Sequence, residues 1–154
     1  PYTTFFRSNK KAETKEVKVT GPRIVCTETQ ESDGMTIELT VTRKFDSNHY
    51  LNYQLSKTVQ TFEDKDTYQA YADSVEESAD SMELDENLEY YYSLDKANKQ
   101  ITTFMVYNES LFDYSNVSDE DKANYLASNL IKTAEDAGAK CEFVETTREE
   151  LGVE

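Results

Sequence analysis

A strictly alternating stretch, "MTIELTVTRKF" at residues 35–45, constrains the fold more than any other feature of the sequence. Apolar side chains occupy every second position: Met35, Ile37, Leu39 and Val41. A period of two with one apolar face is typical of a half-buried β-strand. The run "YLNYQLSKTVQTF" at 50–62 repeats the alternation, with Leu51, Tyr53, Leu55 and Val59 predicted to point inward. The two patterns therefore predict neighbouring strands of one sheet.

Two short polar segments predict the turns around these strands. Asp33-Gly34 separates "RIVCTETQ" at 23–30 from the alternating stretch, and this dipeptide predicts a tight type I′ hairpin because glycine accepts positive φ. The segment "DSNH" at 46–49 predicts the next turn. Residues 17–60 are therefore predicted to form a three-stranded antiparallel meander.

The hydrophobic period changes to that of a helix in two later segments. The first has a helical stripe within 63–82, formed by Tyr68, Tyr71, Ala72, Val75, Ala79 and Met82. The second, at 118–138, has the capping pattern Ser118-x-x-Asp121 and ends at Gly138. Between them, 87–107 predicts a hairpin with "DKANK" as its loop, and 139–146 predicts a last short strand.

The predicted order is βββ-α-ββ-α-β. It indicates an α+β fold, in which a mostly antiparallel sheet carries two helices packed on one face. Residues 17–147 are predicted to form a single domain, and 148–154 a polar tail. Residues 1–16 are interpreted as an N-terminal tether or a non-native segment, because "PYTTFFRS" differs at one position from the library-adapter peptide "PYTTLFRS". A membrane anchor preceding this segment would explain a basic tether.

The charge is strongly acidic and unevenly distributed. The formal net charge is −15, and residues 61–90 contribute eleven acids against the single base Lys65. Such a field repels phosphate backbones, and nucleic-acid binding needs Lys and Arg to replace counterions. We therefore expect no nucleic-acid partner.

The chain has two cysteines, Cys26 and Cys141, separated by 115 positions. They are too few for a zinc or iron–sulfur centre, because the only other soft ligand is His49. A thiol nucleophile would need His49 as its base, but this histidine is predicted to lie in an exposed turn. Two interpretations remain, a pair of buried free thiols or one disulfide. We favour the disulfide, which forms if the last strand returns beside the first, and which would place the domain in an oxidising compartment.

An acidic face is predicted on the first helix. Its residues recur at helical spacing away from the apolar stripe: Asp73, Glu76, Glu77, Asp80 and Glu83. Such a face most often keeps a protein soluble. Its alternative role is to bind a basic partner protein.

No catalytic motif is present in the sequence. Dinucleotide and phosphate-binding glycine loops, zinc-protease motifs and the hydrolase nucleophile elbow are all missing. We therefore predict a protein that is not an enzyme and that needs neither a cofactor nor a metal.

Several short motifs carry a resemblance over residues 17–145. They are "VCTETQ", "GMTIELTVTRKF" and the closing "AEDAGAKCEF", with a helix bearing an aromatic stripe between them. Together they resemble small surface proteins of Firmicutes that include the YehR-like lipoproteins. The resemblance implies a domain tethered outside the cell by a lipid or one membrane helix, and it implies no catalytic residues. The lipid-bearing cysteine that such lipoproteins carry at their mature N-terminus is absent here.

These observations lead to two functional expectations. The first is a non-enzymatic, extracytoplasmic domain of a bacterial surface protein, which binds a protein or cell-wall ligand or has a structural role. The second is an acidic inhibitor or immunity-type protein that binds a basic partner.

Overall fold

The computed structural model describes the backbone of residues 5–7 together with residues 17–81 and 87–154. It shows an α+β fold, as predicted. Within these residues, seven strands form a single antiparallel sheet: β1 (Phe5–Arg7), β2 (Arg23–Ser32), β3 (Met35–Phe45), β4 (Leu51–Phe62), β5 (Leu88–Asp95), β6 (Gln100–Tyr107) and β7 (Lys140–Val144). Their spatial order is β1-β5-β6-β4-β3-β2-β7. The short β1 lies within residues 1–16, for which the sequence predicts a tether or a non-native segment, and it pairs with β5.

The predicted meander is confirmed as β2, β3 and β4. Its first turn is the two-residue loop Asp33-Gly34, with Ser32 paired to Met35. Gly34 has a φ of 74°, but Asp33 is not among the residues with positive φ. A type I′ turn requires positive φ at both positions, so the hairpin is correct and its predicted turn type is wrong.

In the described part of the chain, three α-helices connect the strands: α1 (Lys65–Ser81), α2 (Asp119–Lys122) and α3 (Ala127–Asp136). The Asp64 carboxylate accepts a hydrogen bond from the Thr67 backbone N–H at 2.8 Å and caps α1. The Ser118 hydroxyl accepts one from the Asp121 N–H at 3.2 Å and caps α2. The segment 118–138, which is predicted to form one helix, therefore forms two helices, α2 and α3.

The break between them lies at Leu126. This residue is extended, with φ −71° and ψ 139°, and it forms an isolated bridge with Tyr50. The next residue, Ala127, donates its N–H to the His49 carbonyl at 2.9 Å. A contact with the β3–β4 turn thus replaces the helical hydrogen bonds at this point, which the local sequence does not reveal.

Both longer helices lie on the same face of the sheet, which we call the helix face. The strand register places Cys26, Val41 and Ile101 on this face. Helix α1 packs there through Tyr68 and Ala72 against Phe62 and Ile101. Helix α3 packs through Ala127 and Ile131 against Ile24 and Cys26. The predicted packing of helices on one face is confirmed.

The opposite face of the sheet is also partly covered. Leu55, Tyr91, Phe104 and Val106 form a buried cluster there, and Val17 and Val19 pack against it. The register pairs Leu39 with Thr58 and Thr42 with Leu55. Tyr53, Leu55 and Val59 of β4 therefore point away from the apolar residues of β3, which corrects the expectation that both sets share one core. Leu51 lies beyond a register shift and pairs with Phe45. The alternation predicted both strands correctly. It did not show that apolar residues are also buried on the face of the sheet opposite the helices.

The C-terminal residues pack onto the domain. Val153 is buried, and Leu151 contacts the cluster that contains Ile131. Arg148 forms an ion pair with Glu135 of α3 at 2.5 Å. Residues 148–154 are thus held on the domain by the buried Val153 and by the Arg148–Glu135 ion pair, although most of their side chains are polar.

Candidate binding sites

The two cysteines form a disulfide that joins two neighbouring strands. Cys26 of β2 lies directly opposite Cys141 of β7. Their Cα atoms are 4.0 Å apart, and the bond closes a loop with a sequence separation of 115. The predicted return of the last strand beside the first strand of the meander is confirmed. Because both thiols are oxidised, neither can act as a nucleophile with His49.

The predicted acidic face is exposed on α1. Asp73, Glu76, Glu77 and Asp80 are all solvent-exposed, whereas Glu83 lies outside the described residues. The described part of the chain contains two ion pairs, Arg23–Glu145 and Arg148–Glu135, so these four carboxylates have no basic partner there.

The field of the acidic face extends to the sheet. Burial raises the pKa of Tyr92, and the charges of Glu76 and Asp80 raise it further. The pKa of Tyr68 is raised in the same way, by burial and then by Asp95 and Glu76. A negative potential therefore acts across the surface between α1 and β5.

A second region combines tyrosines from distant parts of the sequence. The rings of Tyr50 and Tyr114 lie 5.3 Å apart, and those of Tyr114 and Tyr125 lie 5.6 Å apart. Lys122 Nζ lies 5.2 Å from the centre of the Tyr50 ring, within the range of a cation–π contact. A cleft of about 290 Å³ beside this group is lined by Leu88, Tyr107, Leu111, Phe112, Asp113, Tyr114, Val117 and Tyr125. The sequence does not reveal this tyrosine cleft, because its residues meet only after the sheet has formed.

Tyr114 ties the irregular segment at 108–117 to the sheet, since its hydroxyl donates a hydrogen bond to the Leu51 carbonyl. We expect Tyr114→Phe to lower the free energy of unfolding by about 1 kcal/mol, because the partly buried hydrogen bond to the Leu51 carbonyl is lost. Denaturant unfolding measures this loss. Tyr107→Phe, which alters the lining of the same cleft, serves as the control. Equal stability of Tyr114→Phe and the wild type would contradict the assignment.

The same tyrosine gives a prediction for alkaline pH. Burial, followed by the charge of Asp46, raises the pKa of Tyr114 from 10.0 to about 12. The unfolded chain loses this proton first, so the stabilisation is complete below pH 10 and declines as the pH rises toward 12. Unfolding curves across this interval should show a weaker decline for Tyr114→Phe than for the wild type. An equally steep decline in the stability of both proteins would contradict a raised pKa for Tyr114 in the folded state.

A third region is a groove between α3 and the sheet, which we call the α3 groove. Its volume is about 390 Å³. Strand residues and helix residues line it together: Cys26, Glu28, Leu39, Val41, Arg43, Asn124, Asn129, Leu130, Thr133, Ala134, Ala137 and Ala139. Arg43 is the one cation in this lining. Sequence patterning places Leu39 and Val41 on an apolar face but does not indicate that part of this face stays uncovered.

No protein-family model, curated protein sequence or solved structure matches this chain. Within residues 17–81 and 87–154, no three His, Cys, Asp or Glu side chains are grouped so that they could hold a metal ion. In the same part of the chain, no helix has both the length and the apolar character needed to cross a bilayer.

Proposed function

We propose that this protein is a non-enzymatic, extracytoplasmic binding domain of a bacterial surface protein. The observation that carries the proposal is the Cys26–Cys141 disulfide. Structural disulfides persist in oxidising compartments and are rare in the cytosol. Here the bond joins the edge strand β7 to its neighbour β2, which is the position of a stabilising cross-link.

The resemblance to YehR-like lipoproteins supports the surface location as part of this proposal. In such a protein the domain would be held outside the membrane by a lipid or a single membrane helix. Its ligand would then be a protein or a cell-wall component. The exposed face of α1 and the two cavities offer surfaces of distinct chemistry for such a ligand.

Localisation and oxidation can be tested together in the encoding organism. Protease added to intact cells should degrade the protein, while a cytosolic marker remains intact. Mass spectrometry after thiol alkylation without reductant should find Cys26 and Cys141 unlabelled. A protease-resistant protein with both cysteines alkylated would overturn the proposal.

A second candidate function is an acidic inhibitor that binds a basic partner protein. The observation in its favour is that Asp73, Glu76, Glu77 and Asp80 are all exposed and lack basic partners among the described residues. Charge complementarity of this kind accelerates association, and its effect falls with ionic strength. The net charge of −15 adds to the attraction at long range.

A matched pair of charge variants separates a specific face from the general charge. One variant replaces the four acids of the α1 face by their amides. The control replaces four exposed acids elsewhere by glutamine: Glu31, Glu38, Glu120 and Glu142. Both remove four negative charges, and binding to immobilised polyarginine is then measured between low and high salt. Selective loss in the first variant supports the inhibitor function, whereas equal losses would show that only net charge matters.

A further inference from the structure

The α3 groove contains an arginine in an unusual position. Arg43 lies on the helix face of β3, between Ile24 of β2 and Gln54 of β4 in the strand register. Burial of the guanidinium lowers the pKa of Arg43 from its ordinary value. Its Nε donates a hydrogen bond to Gln54 Oε1 at 3.1 Å. Neither ion pair of the described residues includes it, so no carboxylate in that part of the chain neutralises this cation.

A largely desolvated cation without a counter-charge is costly, and proteins normally pair such groups. In the described residues, the one fully buried side-chain polar atom without a hydrogen-bond partner is Asn52 Oδ1. The two Nη atoms of Arg43 are therefore not sealed inside the protein. Arg43 lines the α3 groove, so its guanidinium is the cationic group beside a ligand in that cavity. The two Nη atoms form the planar pair that binds a carboxylate with two hydrogen bonds.

The rest of the groove is suited to an aliphatic chain. Leu39 and Val41 form part of its floor, and Leu130 and Ala134 form part of its wall on α3. Its volume of about 390 Å³ lies within the range of small-molecule sites. Apolar walls with one placed cation are the chemistry that recognises an amphipathic anion.

Glu28 restricts the ligand to a single negative charge. It pairs with Leu39 in the register, whereas Arg43 pairs with Ile24. The two charged residues are thus separated by four strand positions, which corresponds to roughly 13 Å. A carboxylate bound at Arg43 would direct its chain along the groove toward Glu28, which would repel a second carboxylate at the far end.

We propose that the α3 groove binds a medium-chain fatty acid, with its carboxylate on Arg43 and its alkyl chain against Leu39, Val41 and Leu130. This site is independent of the basic-partner face on α1 and does not depend on the cellular location of the domain. It assigns a ligand to the uncovered part of the helix face.

Three probes with related alkyl bodies test the proposal by NMR titration of the intact protein. Octanoate should shift the methyl signals of Leu39, Val41 and Ala134. Octylammonium, which has the opposite charge, and the dicarboxylate suberate should bind about tenfold more weakly or worse. Equal binding of octanoate and octylammonium would overturn the proposal. So would binding of a leucine-rich peptide with a free C-terminus in the absence of octanoate binding.

Arg43→Met tests the role of the cation. Octanoate affinity should fall about 10- to 100-fold, because charge-assisted hydrogen bonds are lost. Lys57→Met is the matched control, since it removes one positive charge from β4 on the opposite face of the sheet. Unchanged octanoate affinity in Arg43→Met, or an equal loss in Lys57→Met, would overturn the assignment.

Thermal unfolding separates a binding role from a structural one. Replacing a partly buried charge that has no counter-charge by an apolar side chain of similar size is often neutral or stabilising. Arg43→Met without ligand should therefore keep or raise the melting temperature of the wild type, and octanoate should raise only the wild-type value. A clearly lower melting temperature for Arg43→Met would indicate a structural arginine and overturn the proposal.

A variant that keeps Arg43 provides an independent check. Ala137 is exposed and lines the groove. Ala137→Leu should fill part of the cavity and weaken octanoate binding about tenfold, while the fold remains intact. Full octanoate affinity in this variant would place the ligand elsewhere.

Discussion

Replacing both cysteines, in the variant Cys26→Ala/Cys141→Ala, should lower the free energy of unfolding by about 4 kcal/mol. The bond closes a loop with a sequence separation of 115, and a cross-link of that span restricts the unfolded chain strongly. Strand β7 is also an edge strand, with β2 as its one neighbour in the sheet of the described residues. For a domain of this size, we expect the melting temperature to fall by roughly 8–16 °C.

The double variant can be compared with chemical reduction. Denaturant unfolding of the wild type in the presence of reductant should give the same stability as the variant without reductant. Reductant added to the variant should change nothing, which makes the variant its own control. A double variant within about 1 kcal/mol of the oxidised wild type would show that the native contacts of β7 are sufficient without the bond.

Ile131→Ala should have a comparable effect, with a loss of about 2–5 kcal/mol. Ile131 is fully buried where α3 meets β2, and it packs in one cluster with Ile24 and Cys26. Truncation leaves a cavity that α3 cannot close easily. One end of this helix is held by the Ala127–His49 hydrogen bond, and the other leads directly into β7.

The neighbouring residue provides the control for this prediction. Lys132 is exposed on α3. Lys132→Ala should change the free energy of unfolding by less than about 0.5 kcal/mol. Because Ile131 also fixes the position of the groove wall, Ile131→Ala should weaken octanoate binding as well. Equal stabilities of the two variants would mean that α3 contributes little to the core.

Local patterns predicted the meander and its partner strands because these depend on short-range chemistry. The alternation at 35–45 fixes one face of β3, and Asp33-Gly34 fixes the pairing of β2 with β3. The prediction that Cys26 meets Cys141 needed one more step, the return of the last strand. The prediction was correct because β7 pairs with β2 and brings the two cysteines opposite each other, within the distance that a disulfide requires.

The remaining features depend on contacts between distant residues. Leu126 breaks the second predicted helix because it pairs with Tyr50, which lies 76 positions earlier. The inward side of β4 could not be assigned from alternation alone, because an alternating strand can bury either face of a sheet that is covered on both sides. The α3 groove and the tyrosine cleft likewise arise from spaces between elements, which no single segment encodes.

The topology of the sheet also implies an order of assembly. Strands β2, β3 and β4 are linked by tight turns, so their pairing closes only short loops and is kinetically favoured. Strand β7 must find β2 across more than a hundred residues, and this search is slow because loop closure grows more costly with length. Oxidation of Cys26 and Cys141 to the disulfide, with an external oxidant accepting the two electrons and two protons, should therefore be among the last events of folding. The native disulfide requires β7 to lie beside β2. Its presence therefore marks chains in which the last strand has joined the sheet.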